Sequence, residues 1–579
     1  MKWVRRVAIA VFYLCIAFLA LDALILNFTT AMPGIVKLQA SNEIQPSEFD
    51  IFFWNLWWVR HAIFDLHVSP MYTNYVVYPF VSPLAGHTLV LLWGFLSAPF
   101  QMIFGLIPTF NAIIVLSFVL AGVAMYAFVR RHVQRMSVAL LAGLIFAFTP
   151  AMLQRASIGH LDKISIFWLP LCLLLWDKVI ETNRWTRAVI AGLCLYLSWL
   201  TDFQQTMWTL LLLGPYAIFT FLRMNSKAGN SSTLKRASAR FAASAIEFIR
   251  LVAPLALAFI IPALFAPLPQ LLEANKLNYP PARVEDTAYF AFQIQNLFTR
   301  SGNGDFTIGL LLPLLTLISL PFIRRDGERW FWLIVALGCF ILALGPFIEI
   351  GGTRIALPYT LLHHLLGDQY RTPMRFMTPA VLALTMLISL TFDRTVFRWR
   401  WLNDRVWAQR ALVIGLMLLF IWDYDLLKPF PITTMPDYQA YRSIAQQPGD
   451  FTVLELPIGV RTGFAVVGRG ETLQYYAPFH QHPTPTGYLS RLPNEVLDTF
   501  YSDPLLGALT LSHGLPPQAE VDAQLSQLIK DWKIGYVVLH RDLLEQGRIK
   551  SFGDLLNRQP LLEKVGEDGP LVIYKARNE

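Results

Sequence analysis

Apolar runs of bilayer-crossing length recur along the first three quarters of the chain. One follows Met1-Lys2-Trp3-Val4-Arg5-Arg6 and continues to about Phe28. Others lie at about 109–129, 136–153, 164–180, 186–201, 204–222, 250–271, 306–323, 330–349, 376–392 and 408–424. Wound as a helix, such a run crosses the roughly 30 Å hydrocarbon core. Within that core a backbone satisfies its own hydrogen bonds only as a helix or a closed barrel. The pattern predicts a mainly α fold, a polytopic transmembrane helix bundle of about eleven spans. Composition agrees: of 579 residues, 55% are hydrophobic and only 15% charged, against about 25% charged in an average soluble domain. A soluble enzyme, a disordered tail protein and a fibre are excluded.

Charge sets the orientation. Lys plus Arg number 47 against 39 Asp plus Glu, a net +8, and the surplus sits between spans, so no nucleic-acid partner is needed to explain it. The first run is too long for a cleaved leader and lacks its small-residue exit, so it reads as a span with a cytoplasmic N-terminus. The run His87–Leu106 is ambiguous. Counted as a crossing, it would export Arg130-Arg131-His132-Val133-Gln134-Arg135, the basic loop with Lys227, Lys235, Arg236 and Arg240, the pair Arg324-Arg325, and Arg394, Arg398, Arg400 and Arg405. Read as an interfacial or re-entrant helix, it leaves all four clusters inside, as the positive-inside rule requires.

The expected division is therefore a transmembrane part, residues 1–428, and an external part, 429–579. The external surface of the first part comprises a long loop of 29–108, a short one around 155–163, and loops of about 273–305 and 350–375. The tail regains charge, Gly and Pro, and shows strand-like runs at 451–456, 534–539 and 571–574 with a helical stretch at about 517–532. This predicts a C-terminal extracytoplasmic α/β domain. The four cysteines, Cys15, Cys172, Cys194 and Cys339, all lie in apolar runs without CxxC spacing, so neither a disulfide framework nor a zinc site is indicated.

The first external loop is the most unusual segment. It carries Glu43, Glu48 and Asp50 and continues Ile51-Phe52-Phe53-Trp54-Asn55-Leu56-Trp57-Trp58-Val59-Arg60-His61. As a helix this sets Trp54, Trp57, Trp58 and His61 on one stripe, and Trp favours the headgroup layer, so an interfacial helix lying along the membrane is expected. The acidic pair has two readings. Ser47, Glu48 and Asp50 all suit a helix start as caps. Held at the membrane–water boundary, a carboxylate also suits removal of a proton from an acceptor hydroxyl or amine. Glu48 and Asp50 would share a divalent cation only on an extended backbone, because on a regular helix they diverge.

A first extracytoplasmic loop with such an acidic pair, followed by juxtamembrane helices, resembles the GT-C class of integral-membrane glycosyltransferases. The run Trp54–His61, with Glu48 six positions before the first Trp, resembles a bacterial membrane-protein group related to that class. So do Gly159-His160-Leu161, Trp168-Leu169-Pro170 and Arg371-Thr372-Pro373-Met374-Arg375-Phe376. The resemblance implies a sugar donor on polyprenyl phosphate, a glycan, lipid or protein acceptor, and transfer at the outer face of a bacterial plasma membrane during cell-envelope assembly. It makes Glu48 and Asp50 the catalytic pair, with Mg or Mn as a possible cation.

Other residues supply matching chemistry. Arg371 and Arg375, in a loop that also holds Arg354, His363 and His364, suit donor-phosphate binding, since guanidinium meets phosphate bidentately. Arg375 also reads as an anchor snorkelling to the interface. His160 and Asp162, with Lys163, form a polar knot that offers a second acidic group or an acceptor contact, or else a plain water-exposed ion pair. Asp202 lies between two spans, as a site residue or a turn. In the tail, Gln474, Tyr475, Tyr476, His480, His482, Tyr488 and Arg491 have the aromatic and hydrogen-bonding character of carbohydrate recognition, or make an ordinary domain surface. The rival reading is a non-catalytic transporter or flippase, or a scaffold, for lipid-linked glycans.

Overall fold

The structure is a computed structural model that describes residues 2–34, 48–227, 234–279, 283–300, 306–324, 326–350, 352–366 and 370–577. Glu43, Ser47 and Arg325 lie outside the described residues. Two compact units form. The first comprises Met1–Asn27, Asn111–Ala266 and Ala282–Phe430; the second comprises Phe28–Phe110, Pro267–Pro281 and Pro431–Glu579. The loop of 29–108, expected to belong with the membrane part, thus shares a unit with the tail.

The first unit is helical. Among the described residues six helices are long and apolar enough to cross a membrane: Trp3–Ala20, Leu106–His132, Phe203–Arg223, Ala243–Phe265, Pro373–Arg398 and Val406–Asp423. A seventh crossing is counted if Met136–Ala147 and Pro150–Ser157, bent by 45°, act as one. The remaining four of the eleven expected runs fold shorter. They form Trp168–Thr182 with 15 residues, Trp185–Thr201 with 17, Leu311–Ser319 with 9 and Gly327–Ala343 with 17. At 1.5 Å per residue, even 17 residues reach only about 25 Å.

The Met377–Arg394 helix is buried along nearly its whole length and packs against Gly327–Ala343 and Met136–Ala147. At its end the Asp393 carboxylate accepts the backbone N–H groups of Gln134 at 3.0 Å and Arg135 at 3.1 Å. Nearby His132 places one ring nitrogen 2.7 Å from Glu328 and the other 3.0 Å from Asp177. The basic cluster 130–135, read as a cytoplasmic loop, is therefore tied by His132 and Arg135 to acids of neighbouring helices. Asp423, the last residue of the Val406–Asp423 helix, accepts the N–H groups of Leu310 and Leu311 at 3.0 Å each and so caps the Leu311–Ser319 helix.

The second unit holds the strands expected in the tail. A four-stranded sheet runs in the order Leu562–Asp568, Leu571–Ala576, Ile534–His540, Thr452–Leu456. Val537 pairs antiparallel with Tyr574 on one side and parallel with Leu454 on the other. The helices Gln518–Asp531 and Gln546–Arg558 bury Val521, Leu525, Ile529, Phe552, Leu555 and Leu556 in the same core. A smaller sheet sets Gly459–Arg461 between Gly487–Tyr488 and Val466–Gly468.

The Phe49–Arg60 helix is a core element of this unit, a correction to the interfacial helix expected. Every residue from Phe49 to Val59 is buried. Trp54 and Trp58 stack at 5.6 Å, and on another face Phe53 stacks on Tyr475 at 4.8 Å. The Trp stripe had been read alone, but Phe49, Phe52, Phe53, Leu56 and Val59 make the rest of the circumference equally apolar. A helix apolar all round is buried. The ambiguous run forms Leu91–Phe104, 14 residues, which packs against Phe49–Arg60. At Gly94 the two backbones come so close that a Cβ would stand 2.5 Å from Val59 Cβ.

Candidate functional site

The acidic pair of the first loop meets residues of the tail. Glu48 occupies the N-cap position of the Phe49–Arg60 helix, but its side chain makes no capping bond. It accepts instead from Arg461 Nη2 at 3.3 Å, across 413 residues of sequence. The capping alternative for Glu48 is thereby replaced by an ion pair. Asp50, two residues along, is 5% exposed. Phe49 and Phe53 pack on Tyr475 in the Glu471–Tyr476 turn, and this contact carries Glu471 to the same place. Gly459 and Gly470 are in backbone contact, where a Cβ on Gly459 would overlap the nitrogens of Gly470 and Glu471. Bare backbone at both positions lets the Arg461 strand lie directly on the Glu471 turn.

Glu48 is thus paired with the Arg461 guanidinium, and Asp50 and Glu471 lie within its electrostatic reach. Burial pushes the Asp50 carboxyl well above the usual carboxylate range; Arg461 opposes this, while Glu471 and Glu48 add to it. Burial also raises Glu471, with Arg461 again opposing. Glu48 is the reachable member, its side chain 27% exposed against 18% for Arg461. Beside this cluster, His87 Nε2 stands 2.8 Å from Asn55 Oδ1, and its Nδ1 accepts the Ser490 N–H at 3.1 Å. The Arg461 guanidinium lies 5.4 Å from the Tyr488 ring centre. Arg461, Glu471 and His87 were missed in the sequence because they occur in no motif. The one signal was a charged residue two positions after a glycine on a short strand.

A second cluster lies in the helical unit. Lys163 Nζ is 2.9 Å from Asp162 and 2.8 Å from Asp202. Asp162 also accepts the Lys163 N–H at 2.7 Å and faces His160 Nδ1 at 3.3 Å. All four residues are buried, so the water-exposed Asp–Lys pair weighed as an alternative does not hold. Burial by itself would raise Asp162, yet the Lys163 ammonium and the His160 contact hold it below the usual carboxylate range. Asp202 goes the other way, raised by burial and by Asp162, with Lys163 only partly offsetting. Asp202 caps the following helix through the Gln204 N–H at 3.1 Å. Gln204 in turn accepts from Arg375 Nη1 at 2.6 Å. The structure therefore joins His160, Asp162, Asp202 and Arg375 through Lys163 and Gln204. Arg371 is half-buried on the other side of the Thr372-Pro373-Met374 turn.

One expectation changes. Gln474, Tyr475, Tyr476, His480 and Tyr488 are buried and pack the core, so they are no carbohydrate-binding surface; His482 and Arg491 are half-buried. As for a cation, among the described residues no group of three or more His, Cys, Asp or Glu is arranged to hold a metal ion. For Glu48 and Asp50 to hold Mg or Mn, the Arg461 guanidinium has to leave the pair, so this donor set does not fit a divalent ion as it stands.

No protein-family model matches the chain, and no curated protein matches it by sequence. Among solved structures, the chain is similar to mycobacterial arabinofuranosyltransferase AftD at a TM-score of 0.49 and 13% identity, over 100% of this chain and 42% of that one. It is also similar to an oligosaccharyltransferase of Archaeoglobus fulgidus at a TM-score of 0.42 and 14% identity, over 94% of this chain and 69% of that one. The chain thus spans less than half the length of the arabinofuranosyltransferase.

Proposed function

We propose that the chain is a membrane glycosyltransferase of the GT-C type. It moves a sugar from a polyprenyl-phosphate donor to an extracytoplasmic acceptor, a glycan, lipid or protein, in the bacterial plasma membrane. The observation that supports this best is the Glu48–Arg461 pair backed by the buried carboxyls of Asp50 and Glu471. A partly exposed carboxylate with its direction fixed by a guanidinium is what a general base requires. In the reaction, the acceptor oxygen attacks the anomeric carbon and its proton passes to Glu48. The bond from that carbon to the phosphate oxygen breaks, and its electron pair leaves on polyprenyl phosphate. A single displacement of this kind inverts the anomeric centre.

Arg371 and Arg375 are assigned to the donor phosphate, whose charge a guanidinium stabilises as it leaves. His160, Asp162 and Asp202 are assigned to a second, acceptor-side site. The test is Glu48→Gln in the purified full chain, supplied with a polyprenyl-phosphate sugar in proteoliposomes. Transfer is expected to fall by roughly 100-fold or more, with donor binding retained, while Arg375→Gln weakens donor binding itself. Unchanged turnover in Glu48→Gln removes the assignment of Glu48, and absence of transfer by the unchanged protein leaves the transporter or scaffold reading.

A further inference from the structure

The two parts of the carboxylate cluster come from opposite ends of the chain, and this points to a role for the tail in the chemistry. Glu48 and Asp50 lie at the start of the Phe49–Arg60 helix. Two charged groups that face them belong to the tail: Arg461 on the Gly459–Arg461 strand and Glu471 at the head of the Glu471–Tyr476 turn. We infer that Arg461 is a positioning residue: it fixes the direction and charge of the Glu48 carboxylate, so that the tail completes the site rather than merely shaping the approach of the acceptor. This rests on the reading of Glu48 as proton acceptor.

Three observations carry it. The pair is partly sheltered from water, which makes its electrostatic coupling stronger than that of a surface pair. The arginine is held from several sides. Its strand is clamped by neighbours on both edges, with Arg461 itself opposite Val466 and Tyr488, and the Tyr488 ring lies beside its guanidinium. Tyr488 is in turn fixed through its N–H, donated to Gln474 at 2.6 Å. Finally, Glu48 shares this place with two further carboxyls, Asp50 and Glu471. Without Arg461 the attraction of this guanidinium for Glu48 is lost while both carboxyls remain, and like charges in a sheltered place favour proton uptake. A protonated Glu48 accepts nothing from a hydroxyl.

The experiment compares Arg461→Met, Arg461→Lys and the unchanged protein as full chains in proteoliposomes, by two readouts. In sugar transfer from a polyprenyl-phosphate sugar, Arg461→Met is expected to lower kcat by about 10-fold or more with the donor KM unchanged. The acid limb of its pH–rate profile moves to higher pH, and Arg461→Lys recovers part of both effects. Independently of activity, carbodiimide labelling of Glu48 at mildly acidic pH, read by mass spectrometry, is expected to rise several-fold in Arg461→Met. An intermediate rise is expected in Arg461→Lys. Equal labelling in all three proteins overturns the inference whatever the activity. A labelling rise in a protein without transfer supports the positioning role and removes the glycosyltransferase reading instead. If Arg461→Met does not fold, Arg461→Lys decides alone, because an ammonium cannot reproduce the planar fork: labelling equal to that of the unchanged protein overturns the inference.

Discussion

Lys163 donates to Asp202 across 2.8 Å while also lying 2.9 Å from Asp162, so one buried ammonium serves two buried carboxylates. Removing it leaves both acids without their cation in a place closed to water. Lys163→Met is expected to cost about 3–5 kcal/mol, the usual penalty for breaking a buried ion pair from one side. The pH dependence has a definite sign. Asp162 is held below its ordinary 3.8, so it contributes stability above that pH and loses it on acidification. In Lys163→Met this contribution is gone and both acids gain from protonation. The gap between variant and unchanged protein therefore narrows as pH falls from 7 towards 4, as thermal unfolding in detergent would record.

Asp50→Asn separates stability from activity. The Asp50 carboxyl is raised by burial, so its contribution favours the fold below the ordinary carboxylate value and is lost as pH rises through the folded value. The neutral isostere escapes that loss. At pH 7 the variant is expected to be more stable by about 1–3 kcal/mol, the typical cost of an ill-satisfied buried polar group, with the gain vanishing in acid. Transfer activity falls all the same. An unfolding series across pH alongside a turnover assay checks both halves.

Gly94→Ala tests the contact between the Leu91–Phe104 and Phe49–Arg60 helices. The new methyl would meet Val59 Cβ at 2.5 Å, an overlap expected to cost about 1–3 kcal/mol. Val59→Gly in the same chain removes that Cβ, so the double variant should lose less than the sum of the two single losses. Additive losses would show that the helices do not approach as described.

Phe53 and Tyr475 stack at 4.8 Å and carry the contact that brings Glu471 to Asp50. A double-mutant cycle with Phe53→Leu and Tyr475→Leu is expected to give a coupling of about 0.5–1.5 kcal/mol. Each single variant should also lower turnover, because the turn that holds Glu471 loosens.

What the sequence made legible follows from the range of the forces involved. The runs at 451–456, 534–539 and 571–574 could be read as strands because β-branched and aromatic side chains report locally on an extended backbone, and all three join one sheet. The helix at about 517–532 was legible from its 3.6-residue period and forms at Gln518–Asp531. Glu48 and Asp50 stood out by composition alone, but Arg461 did not: its partner lies 413 residues away, and no local pattern encodes that distance. The Trp string misled because a stripe was read without its opposite face. The positions of the crossings were legible from hydropathy, but the helix ends were not: a run records how apolar a stretch is, not where Pro150 bends Met136–Ala147 away from Pro150–Ser157. The polar knot at Lys163 showed its residue types but not its burial, which Asp202 completes from 39 residues further on.

The backbone-to-backbone contact of Gly459 and Gly470 has a consequence for recognising relatives of this chain. Two peptide planes that touch leave no room for even the smallest side chain at either position, so a related protein can keep the acid cluster only by keeping both glycines. Their joint presence would be a simple marker, readable without coordinates, of chains in which the far end of the polypeptide still reaches back to its beginning.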